Sequence, residues 1–220
     1  MANAFIRSIG GLLAITLLLA GAARAQASIM GELWINQSVA AGDATIARAA
    51  GLGTPDAQFV PGAIAFNSTV TGYTIAEFLN HPTFTNTSVA FDPNATADNT
   101  YYLFTGNVFL NAGANSFVIP HDDGLQLNID GIGLVVDQPG PTAPVSTPFT
   151  VTAPSAGSYN FELSYGECCG PPAELAWDIN GSAVSGAVPL PATAWSGLSL
   201  ILGLGVFGVA RQVRQILAVK

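Results

Sequence analysis

The sequence predicts an all-β protein in which residues 28–187 form a single antiparallel β-sandwich with one or two short helices. Three segments of this region, 125–129, 159–165 and 174–179, alternate apolar and polar side chains. Such alternation is typical of strands in packed antiparallel sheets, where one face is buried and the other is wet. A region of about 160 residues is also the size of one such domain.

The first half of this region contains the signals for the short helices. Residues 43–50, with a glycine directly behind them, have the features of a short capped helix. Thr74 and Glu77 have capping-box spacing, and a second helix starting there would stop at His81, before a proline. Residues 101–110 follow as a mostly buried strand.

The second half reads as strands joined by tight turns. The strand at 125–129 ends at Asp130-Gly131, a hairpin signal ahead of residues 132–136. Residues 136–151 contain four prolines among Gly, Ser and Thr, which predicts a loop and an edge strand. The strands at 159–165 and 174–179 complete the domain.

The N-terminal end has the features of a secretory signal peptide over residues 1–25. Arg7 supplies the positive region, residues 10–20 the apolar core, and Ala23-Arg24-Ala25 a small-x-small cleavage site. An uncleaved anchor is the competing interpretation. It is disfavoured because the apolar run is short and the cleavage residues follow it directly.

The C-terminal end, residues 188–220, predicts a membrane helix. Residues 193–210 are 18 residues without a charge, which would span about 27 Å as a helix. Three basic residues follow them, which the positive-inside rule keeps in the cytoplasm. On these residues alone the segment is a plain C-terminal anchor.

A short motif in front of this helix adds a resemblance. Its five residues are Val188, Pro189, Leu190, Pro191 and Ala192. With the uncharged helix and the basic tail, the motif resembles the VPLPA variant of the bacterial PEP-CTERM sorting signal. The resemblance implies that an exosortase-type transpeptidase recognises the motif, removes the helix, and delivers the protein to the cell surface or its exopolysaccharide.

The charge distribution excludes some partners. All 14 acidic residues lie between Glu32 and Asp178, whereas Arg48 is the one basic residue in that stretch. A surface this acidic disfavours nucleic acid, which is bound through Lys and Arg, and also anionic lipid. It suits cations and neutral partners.

The sharpest local feature is the run His121-Asp122-Asp123-Gly124 before the strand at 125–129. Adjacent carboxylates repel each other, and glycine lets the chain turn tightly beside them. Such a pair is stable either fully solvated or sharing a hard cation such as calcium. On these residues alone, a solvated acidic loop is the favoured interpretation.

The order of motifs over residues 121–180 carries a second resemblance. An Asp-Asp-Gly precedes a strand ending in Asp-Gly, and a proline-rich loop and a Gly-x-Tyr strand follow. This order resembles the sugar-binding domain first named from anthrax protective antigen and shared with yeast flocculins and adhesins. The resemblance implies a β-sandwich in which two aspartates, joined by a cis peptide, hold a calcium ion that binds sugar hydroxyls.

Carried over to this sequence, the resemblance predicts a calcium site. Asp122 and Asp123 match the aspartate pair, and residues 166–173 match the second calcium loop. Lectin members usually place an asparagine in that loop, where this sequence has Glu167. We therefore predict that Asp122 and Asp123 ligate calcium, with Glu167 or backbone carbonyls completing the shell. The residues expected to contact the ligand beside them are His121, Gly124, Gly166, Cys168 and Cys169.

Cys168 and Cys169 are the only cysteines of the chain. Free thiols are a liability in an oxidising exterior. A vicinal disulfide, an intermolecular bond and two thiols remain as alternatives. Zinc is a weak candidate because no further His or Cys stands at ligand spacing.

The residues favour a binding module over an enzyme. The chain has two histidines and no Gly-x-Ser-x-Gly, His-Glu-x-x-His or phosphate loop. Trp177 lies on the apolar face of its strand, which favours core packing over stacking on a sugar. The first prediction is a non-catalytic, calcium-dependent module that binds carbohydrate or exopolysaccharide at a bacterial surface. A structural matrix protein without a ligand is the second, and a surface glycosidase is a remote third.

Overall fold

Two antiparallel sheets and two short helices make up the part of the chain that the computed structural model describes, residues 29–39 and 41–186. The predicted signal peptide, the motif at 188–192 and the helix at 193–210 lie outside these residues. The elements are β1 (Met30–Trp34), α1 (Ile46–Leu52), β2 (Ala57–Phe59), β3 (Ala65–Asn67), α2 (Ile75–Phe78), β4 (Phe84–Thr85), β5 (Thr100–Leu110), β6 (Gly113–Asp122), β7 (Gly124–Ile129), β8 (Gly133–Gln138), β9 (Val145–Ala153), β10 (Gly157–Glu167), β11 (Glu174–Ala176), β12 (Asp178–Ile179) and β13 (Ser182–Ala183).

The first sheet has seven strands in the order β4-β2-β1-β5-β10-β7-β8, and the second has the order β13-β12-β6-β11-β3 with β9 paired to β6. The two sheets share one apolar core. Phe161 of the first sheet meets Trp177, which lies between β11 and β12 of the second sheet, edge to face with ring centroids 4.9 Å apart. The predicted all-β sandwich is confirmed, and Trp177 is a core residue, as expected.

The predicted elements are close to the observed ones. The strand predicted at 159–165 is β10, and the proline-rich stretch becomes a loop at 139–144 followed by β9, which pairs with β6 alone. Thr74 caps α2, because its hydroxyl accepts a hydrogen bond from the Glu77 N–H at 3.2 Å. The first helix, α1, starts at Ile46 and so begins and ends slightly later than residues 43–50.

One end of the first sheet is buried on both faces, which the alternation does not predict. Residues 37–39 and 41–53, here called the covering segment, lie over the outer face of β5, β7 and β10. The Ser164 hydroxyl donates to the Ala44 carbonyl at 2.8 Å, and the Ile46 N–H donates to the Gln126 side chain at 2.9 Å. A second small core forms beneath the segment from Trp34, Val39, Tyr101, Leu103 and Cys168.

The described residues form two helices, α1 and α2. Neither is long and apolar enough to cross a membrane.

Candidate cation-binding site

The acidic pair, Asp122 and Asp123, lies where the chain crosses between the two sheets. Asp122 is the last residue of β6, in the second sheet, and β7 of the first sheet begins at Gly124. The peptide bond between the two aspartates is cis, as the resemblance implies. The pair therefore sits at one end of the sandwich, on a connection shared by both layers.

Both aspartates of the acidic pair are nearly buried: the exposed fraction is 6% for Asp122 and 5% for Asp123. Two loops converge on Asp123. Its Oδ1 accepts from the Thr142 N–H at 3.0 Å and its Oδ2 from the Cys168 N–H at 2.9 Å. Thr142 belongs to the proline loop, residues 139–144, and Cys168 begins the cysteine loop, residues 168–173.

The pair carries more negative charge than its surroundings balance. Burial, and next the charge of Asp123, raises the pKa of Asp122 to about 6. Burial also raises the pKa of Asp123, although the N–H donors of Cys168 and Thr142 oppose that rise. Arg48, the one basic residue of the described ranges, forms an ion pair with Asp43 at 3.2 Å. Among the described residues, the pair therefore has no Lys or Arg side chain as an ion-pair partner.

Glu167, the predicted third ligand, is placed behind the pair by hydrogen bonds to two tyrosines. It is fully buried, and its Oε1 accepts from the Tyr73 hydroxyl at 2.7 Å. Its Oε2 contacts the Tyr165 hydroxyl, which also contacts the Asp122 carbonyl oxygen. Burial, reinforced by the charges of the acidic pair, raises the pKa of Glu167 to about 9 despite both tyrosine hydrogen bonds.

A protonated Glu167 satisfies both contacts of Tyr165. A hydroxyl has one proton to donate. When Glu167 donates its own proton to the Tyr165 oxygen, Tyr165 is free to donate to the Asp122 carbonyl. The geometry therefore favours a neutral Glu167 that supports the backbone of Asp122, and its role as a calcium ligand stays a prediction.

His121 also holds the backbone of the pair in position. It is fully buried, with Nδ1 2.7 Å from the Asp123 carbonyl oxygen and Nε2 3.0 Å from Oε1 of Gln138. A carbonyl oxygen only accepts, so Nδ1 carries a proton and donates it. Both ring nitrogens have partners within the protein, and contact of His121 with a ligand stays a prediction.

The two predicted glycine contacts are packing positions. A Cβ on Gly124 would lie 2.5 Å from the Pro139 carbonyl oxygen, and one on Gly166 would lie 2.9 Å from the side chain of Val39. Both residues are buried. Glycine is needed at these positions because the proline loop and the covering segment approach the strands closely, and contact of either glycine with a ligand stays a prediction.

The two cysteines form a vicinal disulfide, which decides among the three alternatives left by the sequence. Cys168 is buried in the small core beneath the covering segment, whereas Cys169 is exposed. Of the five residues predicted to contact the ligand, Cys169 is the one that reaches the surface. The disulfide therefore forms part of the wall beside Asp123.

Asp98 is an acidic residue whose charge acts on Asp123 and which the sequence did not single out. Its Oδ1 atom is buried without a hydrogen-bond partner, and its charge contributes to the raised pKa of Asp123. It lies two residues before Thr100, which pairs with Glu167 across β5 and β10. No local pattern marks Asp98, because it comes from an irregular loop remote in sequence from the pair.

The donor set fits a hard divalent cation. Calcium prefers carboxylate and carbonyl oxygens, and the pair offers two carboxyl groups. Within the described ranges, there is one group of at least three potential ligand atoms from His, Cys, Asp or Glu that all lie within 4.8 Å of one another. This group contains Asp123 but neither Asp122 nor Glu167. Calcium takes about six to eight oxygens, so most ligands would come from the backbone, water or a bound molecule.

Comparison with known proteins shows the fold. No family model and no curated protein matches the sequence. A solved PA14 sugar-binding domain from an RTX adhesin is 21% identical, with a TM-score of 0.50, over 74% of this chain and 100% of that chain. The PA14 domain of the MpAFP antifreeze protein is 19% identical, with a TM-score of 0.51, over 72% of this chain and 86% of that one. The described residues thus have the fold of PA14 domains, the protective-antigen type.

Proposed function

We propose that this domain is a carbohydrate-binding and adhesion module in which the acidic pair holds a calcium ion. The observation that carries the proposal is a nearly buried pair of carboxyl groups with raised pKa values and, among the described residues, no Lys or Arg side chain paired with it. A divalent cation would neutralise that charge. The fold supports the proposal, because one of the similar structures is a sugar-binding domain of an adhesin.

In the proposed site, calcium supplies a centre of positive charge on which sugar hydroxyl oxygens act as ligands. The carboxylates of Asp122 and Asp123 hold the ion. The N–H groups of Thr142 and Cys168 orient Asp123 by donating to its two oxygens, each of which keeps a lone pair for the ion. Glu167 and His121 act one layer behind, by positioning the backbone of the pair.

The proposed module binds its ligand without catalysis. His121 is enclosed, and His81 is exposed at the surface with its Nε2 3.6 Å from a carboxylate oxygen of Glu77. A general base must reach the proton that it abstracts. Neither histidine is placed to do so beside the acidic pair.

Export and sorting belong to the proposal as well. Residues 1–25 would direct the chain out of the cytoplasm, and residues 188–220 would hold it in the membrane until an exosortase-type transpeptidase acts at the motif. The motif itself supports this part. The intact mass of the protein recovered from the surface of its host tests it, since a processed chain lacks the mass of the helix at 193–210.

Glycan-array binding of the purified full chain, with calcium and with EDTA, tests the function. We expect binding to polysaccharide or oligosaccharide that EDTA abolishes and calcium restores. The variant Asp122→Asn/Asp123→Asn should lose binding, whereas Glu162→Gln, which changes an exposed acid of β10, should keep it. Binding that is indifferent to EDTA would refute the role of calcium. Absence of any glycan binding would favour a structural matrix protein, and release of reducing sugar would favour a glycosidase.

A further inference from the structure

We infer that reducing the Cys168–Cys169 disulfide creates a second kind of metal site, in which both thiolates and Asp123 bind a thiophilic divalent cation such as zinc. The inference goes beyond the proposed function. It concerns another oxidation state of the same loop and another class of metal, and it requires neither calcium nor sugar.

The three ligand atoms already converge. The carboxylate oxygen of Asp123 and the Sγ atoms of Cys168 and Cys169 all lie within 4.8 Å of one another. Zinc bonds of about 2.3 Å to sulfur and about 2.0–2.2 Å to a carboxylate place tetrahedral ligand atoms roughly 3.6–3.8 Å apart. The observed convergence is therefore compatible with one shared ion after the sulfurs separate.

The surroundings keep these groups together. The Cys168 N–H donates to Oδ2 of Asp123 at 2.9 Å, so the cysteine loop is tied to the carboxylate independently of the disulfide. Cys168 is also held in the small core with Trp34 and Tyr101. Breaking the bond between the sulfurs leaves both of these restraints in place.

Burial gives the site a closed side and an open side. Asp123 and Cys168 are 5% and 2% exposed, whereas Cys169 is exposed. A reductant or a metal ion therefore approaches past Cys169. A fourth zinc ligand could be water from the same side, as in zinc sites that keep one open position.

The chemistry balances with a dithiol as the reductant. The disulfide accepts two electrons and two protons, its S–S bond breaks, and each cysteine becomes a thiol while the dithiol closes into its own disulfide. Zinc then displaces the two thiol protons, because the thiolate is the ligand form. In the oxidised protein the sulfurs are bonded to each other and offer no thiolate. The oxidation state of the disulfide therefore decides whether this end of the domain accepts a thiophilic cation such as zinc.

A zinc titration of the purified full chain tests the inference. Protein in the oxidised form, and protein reduced by a dithiol that is then removed without air, are titrated against a chromophoric chelator in calcium-free buffer without glycan. We expect one zinc per reduced chain, bound at least about tenfold more tightly than by the oxidised chain, since even outer-shell changes alter zinc affinity by 10–100-fold. Cobalt in place of zinc should give a thiolate-to-cobalt absorption band in the reduced chain alone.

Variants identify the ligands. Cys169→Ser should bind zinc no better than the oxidised chain, Asp123→Asn should bind about tenfold more weakly than the reduced wild type, and Glu162→Gln should match the wild type. Equal zinc affinity of the oxidised and reduced wild type, or no cobalt band on reduction, would overturn the inference. Both outcomes are measured on the wild type, so they hold even if a variant fails to fold. Because calcium and glycan are absent, this outcome is independent of whether the proposed function is correct.

Discussion

Replacing Asp122 by asparagine should stabilise the calcium-free protein at neutral pH. Burial and the charge of Asp123 raise the pKa of Asp122 from its usual 3.8 to about 6. Ionising this group in the folded chain therefore costs about 3 kcal/mol more than ionising it in the unfolded chain. Asparagine has no charge at any pH, so we expect a gain of about 1–3 kcal/mol, where the lower figure allows for burial of the amide.

The sign of this effect depends on pH. Between the usual pKa and about 6, folded Asp122 holds a proton that the unfolded chain has released. The free energy of unfolding of the wild type therefore falls as the pH rises through that window. Below the window the group is neutral in both states and the penalty disappears. The gain from Asp122→Asn should be nearly absent at about pH 4 and complete at about pH 7.

Urea unfolding of the purified full chain in a calcium chelator, at these two pH values, measures the effect. Glu162→Gln is the matched control, because it removes an exposed charge from β10 and should change the free energy of unfolding little at either pH. A variant Asp122→Asn that is destabilised at pH 7, or stabilised equally at both pH values, would refute the claim that burial and the charge of Asp123 penalise the ionised form of Asp122.

Three further predictions concern the surroundings of the pair. Glu167→Gln should change the calcium affinity by less than about threefold from that of the wild type, because a neutral carboxyl group bound to Tyr73 and Tyr165 is not a ligand. A calorimetric titration that shows a loss of about 100-fold would place Glu167 in the coordination shell. Gly124→Ala should destabilise the fold by about 1–3 kcal/mol in urea unfolding, because the new methyl group meets the Pro139 carbonyl. Asp98→Asn should weaken calcium binding by about tenfold in the same calorimetric titration, because a negative charge that acts on Asp123 is lost. An unchanged calcium affinity would place Asp98 outside the site.

The strands were predictable from the sequence because their signals are local. The polar alternation of β10 follows from a side-chain period of two residues, and the turn at Asp130-Gly131 is a two-residue signal. Burial of Ser164 was not predictable. It arises because Ala44, 120 residues earlier, accepts its hydrogen bond, and periodicity along one strand contains no information about a segment that folds over it.

Some residues of the candidate site are marked by a sequence pattern, and others are not. The acidic pair is marked by two adjacent carboxylates beside a glycine, and the cysteine loop by the resemblance to sugar-binding domains. Tyr73 has no such mark, although it holds Glu167 across 94 residues of chain. Likewise, the hydrogen bonds that hold Glu167 and His121 involve Tyr73 and Gln138, and no pattern beside the acidic pair or the cysteine loop indicated these partners.

Calorimetric titration of the purified full chain with calcium tests the central claim most directly. We expect the wild type to bind one calcium ion at the acidic pair and Asp122→Asn/Asp123→Asn to release no heat above dilution, with Glu162→Gln binding as the wild type does. A double variant that folds and still binds one calcium with unchanged affinity would contradict the claim that these two carboxylates hold the ion.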